Sequence, residues 1–107
     1  MKQKANYIKY GLKAYEIEKI RKVFESFPEI DEALLFGSRA KGNFREGSDI
    51  DISLKGRRLS HNLINKIALM IDDLLLPYFC ELSIYNRIEN PELIAHINRV
   101  GKTIFKR

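Results

Sequence analysis

Apolar side chains recur every three to four positions over residues 14–27, where Ile17, Ile20, Phe24 and Phe27 share one stripe. That spacing predicts an amphipathic helix. Pro28 and the acids after it end the helix. Ala33–Phe36 is a short apolar run closed by Gly37, which reads as a buried strand. A polar stretch follows, punctuated by Gly37, Gly42 and Gly47. Residues 49–54 then alternate, with Asp49, Asp51 and Ser53 on one side and Ile50, Ile52 and Leu54 on the other. Strict alternation predicts a half-buried strand, and Gly56 closes it.

Ser60 is a good helix N-cap ahead of the stripe Leu63, Ile67, Met70, Ile71 and Leu74. Pro77 breaks the chain. Cys80, Leu82 and Ile84 then alternate with Glu81, Ser83 and Tyr85, which predicts a third strand. Asn90-Pro91 pairs an N-cap with proline at the first helical position. The last helix packs Leu93, Ile94, Ile97 and Val100, and Gly101 caps its end. The order α-β-(short α)-β-α-β-α implies an α/β or α+β layer fold.

With 107 residues the chain suits one compact domain, residues 1–107. An apolar share of 45% argues against disorder. So small a core leaves little room for both a catalytic and an acceptor site, so a homo- or hetero-oligomer is expected. The formal charge of +5 suits phosphate-bearing ligands, though a solvated basic surface gives the same balance. Arg39, Lys41, Lys55, Arg57 and Arg58 have no aromatic recognition motif beside them, so nucleic acid is not the expected partner. One cysteine, Cys80, excludes an internal disulfide, and its phase with Leu82 predicts a buried, inert thiol. No apolar run reaches membrane-spanning or signal-peptide length, so a soluble, cytoplasmic protein is expected.

The candidate chemistry sits on the second strand. Asp49 and Asp51 point to one face, about 7 Å apart at a rise of about 3.3 Å per residue. Two bare carboxylates at that distance repel by about 2 kcal/mol at an effective dielectric near 20. Aspartate is also a poor strand former. A hard cation such as magnesium removes the objection. An exposed strand face with two solvated acids gives the same triplet. Glu81 shares its face with Ser83. If the third strand neighbours the second, three acids converge, two to hold metal and one to take a proton from an attacking hydroxyl. Upstream, Gly37-Ser38 follows a buried strand and opens a short helical segment. Backbone N–H groups and a hydroxyl there can meet phosphate, with Arg39, Lys41 and Arg45 nearby as positive charge. It is neither a Walker loop nor a Rossmann glycine motif. His61 and His96 are isolated in helices and read as surface or structural residues. Tyr78, Phe79 and Tyr85 read as core, with stacking on adenine as the alternative.

Gly37-Ser38, ten residues, then Asp49-x-Asp51 resembles the signature of the DNA polymerase β-like nucleotidyltransferase superfamily. The string LFGSRAKGNFREGSDIDISL is similar to the minimal nucleotidyltransferases, or MNT proteins, and the resemblance spans nearly the whole chain. It implies a nucleotidyltransferase fold, a small mixed sheet of about three strands flanked by helices. It also implies that Gly37 and Ser38 hold the triphosphate of ATP, and that Asp49 and Asp51 bind Mg2+. The third family carboxylate falls on Glu81, where the family usually has aspartate. MNT proteins are commonly paired with a helical HEPN protein, often an RNase toxin whose tyrosine they adenylylate. The resemblance therefore implies an antitoxin that transfers AMP from ATP. The glutamate carboxyl lies about one methylene farther out, and a misplacement near 1 Å costs on the order of a hundredfold in rate. This departure supplies the alternative, an ATP-binding module that neutralises or scaffolds its partner by contact.

Overall fold

The structure, a computed structural model, describes residues 8–107. It begins with a tight hairpin of two short strands, β1 (Ile8–Lys9) and β2 (Leu12–Lys13). Tyr10 and Gly11 both take positive φ at the turn, the geometry that a two-residue hairpin loop requires. Leu12 anchors the hairpin in the core. Helix α1 (Ala14–Glu25) follows, and Glu16 Oε1 accepts the Lys13 N–H at 2.9 Å across its first turn. The helix ends before Phe27, whose N–H closes a turn onto the Phe24 carbonyl at 3.0 Å. The apolar stripe runs on beyond the helical hydrogen bonds, because Phe27 is buried from the turn itself.

Strands β3 (Glu32–Phe36), β4 (Ile50–Lys55), β5 (Cys80–Ile84) and β6 (Lys102–Lys106) form one sheet in the order β5-β4-β3-β6. β3 pairs antiparallel with β4 and β6, and β4 pairs parallel with β5. The sheet is mixed, as expected, but has four strands rather than about three. The extra strand, β6, reads Lys-Thr-Ile-Phe-Lys, too short and too polar at its ends for its pattern to stand out. Pairing with β3 decides it. The hairpin β1–β2 was likewise not predicted.

Helix α2 (Gly37–Lys41) leaves the end of β3 at once. Helix α3 (His61–Asp72) is capped by Ser60, whose Oγ accepts the Leu63 N–H at 3.2 Å. Helix α4 (Pro91–Val100) is capped by Asn90, whose Oδ1 accepts the Glu92 N–H at 2.9 Å. These caps fall where the sequence predicts them. Met70, expected on the buried stripe of α3, is exposed, while Ile67 and Ile71 make its core contacts.

The main apolar core gathers Ile20, Val23 and Phe24 of α1, Ile67 and Ile71 of α3, and alternate residues of the sheet: Ala33, Leu35, Ile50, Ile52, Leu54 and Ile84. Alternation sends the intervening residues, Asp51 and Ser53 among them, to the other face. Helix α4 packs against β3 and α2, with Ile97 buried apart from the main cluster. The fold thus leaves part of one sheet face for polar groups.

Candidate active site

The Gly37-Ser38 turn lies where β3 ends and α2 begins. Gly37 has φ +78°, and a Cβ built on it would collide with Asp51 Oδ2. Only glycine allows the turn to lie against that carboxylate. Asp51 is cross-strand partner to Phe36 on one side and to Glu81 on the other. Neighbouring residues in register on parallel strands project to the same face, so Asp51 and Glu81 stand side by side. Asp49, at the approach to β4, and Glu81 are both exposed, and Asp51 is half-buried.

Burial pushes the Asp51 carboxyl above its ordinary range, and the charges of Glu81 and Asp49 push it further, against a smaller opposing effect of His96. The charges of three acids therefore act on one another at Asp51. Among the described residues, no group of three or more His, Cys, Asp and Glu side chains forms a ready metal cluster. Magnesium does not need one, because it is held by one or two carboxylates plus substrate phosphate and water. The oxygen donors of Asp49 and Asp51, beside a turn open to phosphate, fit that ion.

Ser38 is half-buried in the first turn of α2, and its carbonyl accepts the Gly42 and Asn43 N–H groups at 2.9 and 3.2 Å. Lys41 is exposed at the end of α2. Arg39 has a different placement from the one expected of a phosphate ligand. It is 2% exposed, and its Nε and Nη2 donate to the Ser48 carbonyl at 3.1 and 2.8 Å while Nη1 donates to the Tyr10 carbonyl at 2.9 Å. The rings of Phe44 and Tyr78 lie 5.1 and 4.8 Å from the guanidinium carbon. A planar guanidinium suits this mixture of carbonyls and aromatic faces. Arg39 thereby ties the hairpin to the residue just before Asp49, and its charge faces inward.

The aromatic residues divide. Tyr78 lies beside Arg39 and donates its hydroxyl to Glu16 Oε1 at 3.1 Å. Tyr85 donates to Asn98 Oδ1 at 2.7 Å. Phe79 is not core but 63% exposed, and its carbonyl accepts the Ile50 N–H at 2.8 Å. The Cys80 thiol is pushed up to about 12, chiefly by burial and then by Asp51 and Asp72, so it stays an unreactive thiol. One residue at the site gave no sign in the sequence. His96 reaches from α4 to accept the Gly37 N–H on Nε2 at 3.0 Å. The two are 59 residues apart, and no local pattern links them.

The profile of the nucleotidyltransferase domain described as "Polymerase beta, Nucleotidyltransferase" matches residues 18–107. The chain belongs to that family. Its fold is similar to that of chains in solved toxin–antitoxin structures. A toxin–antitoxin crystal structure with AMP-PNP aligns at 22% identity and TM-score 0.70, over 85% of this chain and 73% of that chain. The MntA-HepT toxin–antitoxin aligns at 20% and 0.66, over 87% and 72%. A tri-AMPylated HEPN toxin of Shewanella oneidensis in complex with its MNT antitoxin aligns at 20% and 0.65, over 87% and 71%. No curated protein matches the sequence.

Proposed function

We propose that this chain transfers AMP from ATP to a hydroxyl, that the acceptor is a tyrosine of a HEPN-type helical partner, and that the transfer neutralises the partner as an antitoxin. The observation that carries the reading is the meeting of Asp51 with Glu81 across β4–β5 and with Gly37 across the turn. Family membership supports the reaction class. The AMP-PNP and AMPylated-toxin complexes of similar fold support the nucleotide and the partner.

In this reading the acceptor oxygen attacks the α-phosphorus in line, the bond to the bridging oxygen breaks, and pyrophosphate leaves. Glu81 orients the acceptor hydroxyl and takes its proton. Gly37 lets the turn lie against the Asp51 carboxylate, Ser38 offers its hydroxyl to the triphosphate, and exposed Lys41 balances charge. Asp49 and Asp51 would hold Mg2+, which when bound supplies charge stabilisation at the phosphoryl oxygens. Arg39 braces the Ser48 peptide and thereby fixes the start of the aspartate strand. No helix among the described residues is long and apolar enough to cross a membrane; we place the reaction in the cytoplasm, where ATP is supplied.

Incubation with ATP labelled at the α-phosphate, magnesium and the HEPN partner tests this. Label is expected on the partner, falling at least about a thousandfold with Asp49→Ala plus Asp51→Ala, a transition-state loss of about 4 kcal/mol. Unchanged transfer by that double variant would overturn the assigned roles. The exposed, longer Glu81 side chain favours a second reading, an ATP-binding module that neutralises by contact. Full neutralisation by the double variant would establish it.

A further inference from the structure

Gly37 is constrained from two sides. Toward β4, the Asp51 carboxylate leaves no space for a side chain. Toward α4, the Gly37 N–H is bonded to His96 Nε2 at 3.0 Å. A ring nitrogen that accepts is unprotonated, so the imidazole proton is on Nδ1. The ring stands edge-on to Phe36, with centroids 6.1 Å apart and planes at 80°. That contact and the hydrogen bond fix both the position and the tilt of the imidazole. Packing α4 onto β3 does not call for a histidine, since Ile97 on the same helix supplies a fully buried apolar side chain.

We propose that His96 is a positioning residue of the nucleotide site: its Nε2 lone pair holds the Gly37 peptide and thereby sets where the Ser38 hydroxyl stands relative to Asp49 and Asp51. The inference rests on the reading of the turn as a phosphate cradle. It also refines what Gly37 contributes. The glycine amide is engaged within the protein and its missing side chain makes way for the Asp51 carboxylate, so the residue lets the turn lie there rather than supplying a donor. A small rotation of this peptide would swing Ser38 across the site, and displacements near 1 Å are enough to matter there.

The test uses two variants of similar polarity. Glutamine places an acceptor oxygen near the position of Nε2, whereas asparagine reaches only as far as Nδ1. Binding of AMP-PNP with magnesium is measured by calorimetry for wild type, His96→Gln and His96→Asn, alongside their melting temperatures. His96→Gln is expected to stay within about twofold of wild type, and His96→Asn to weaken binding by about tenfold, the worth of one well-aligned hydrogen bond. His96→Asn, which loses the bond, should also melt a few degrees below His96→Gln, which keeps it. Wild-type affinity in His96→Asn, or an equal loss in both variants, would overturn the proposal. Amide exchange in the wild-type protein checks it without any substitution: the Gly37 N–H should exchange slowly, and fast exchange would overturn it too. A wild type that does not bind AMP-PNP sinks the nucleotide reading itself. A wild type that binds while both variants are indifferent sinks only the role of His96.

Discussion

The two faces of strand β4 differ more than any other two regions of the molecule. On one, Ile50, Ile52 and Leu54 are 0–1% exposed among α1, α3 and the neighbouring strands. On the other, Asp51 carries a carboxyl pushed above its ordinary range, and Ser53 and Ser83, one step further along the ladder, have buried hydroxyls with no hydrogen-bond partner among the described residues. One strand thus supports a face built for stability and a face that lowers it. Polar groups left in that state cost about 1–3 kcal/mol each.

If this contrast is right, substitutions on the two faces should have opposite signs. The largest effect is expected on the apolar face. Ile52→Ala should lower unfolding free energy by about 2–5 kcal/mol, measured by urea denaturation, because it removes buried methylenes and leaves a cavity. A loss below about 1 kcal/mol would mean that this face is not the tightly packed one.

Asp51→Asn should act the other way and stabilise the unliganded protein, raising its melting temperature, because it removes a charge that burial and two neighbouring acids disfavour. The pH dependence follows from the direction of the shift. A carboxyl with a raised folded value contributes stability that is fully present below its unfolded value and is lost as pH rises through the folded one. The advantage of Asp51→Asn should therefore be full near pH 7 and vanish near pH 3. An advantage that persists in acid would assign it to another cause. Ser53→Ala is expected to have the smallest effect, neutral to about 1 kcal/mol stabilising in the same urea titration, because it deletes a buried hydroxyl that finds no partner among the described residues. A clear loss of stability would show that the hydroxyl has a partner after all.

Several elements were legible because their signals are local. Alternation over residues 49–54 placed Asp51 on a strand, on the face opposite Ile50 and Ile52, while Asp49 lies one residue ahead of that strand. Ser60 and Asn90-Pro91 marked two helix starts through hydrogen bonds that span three residues or fewer. The grouping of Gly37, Asp51 and Glu81 was legible as an expectation, since the spacing and the family resemblance both pointed to it. Strand β6 was not, because five residues with lysine at both ends become a strand only through pairing with β3. Arg39 was misplaced for a related reason. A basic residue beside a phosphate turn reads as a ligand, and its burial depends on Tyr10 and Tyr78, which lie far from it in sequence.

The sequence by itself determined the periodicities, the caps, and the acidic and glycine residues available for chemistry, because each depends on neighbours within a few positions. Only the tertiary structure decided which strand lies beside which, that Arg39 faces inward, and that His96 meets Gly37. Those outcomes depend on which distant surfaces exclude water together, a property of the packed chain that no short window of sequence contains.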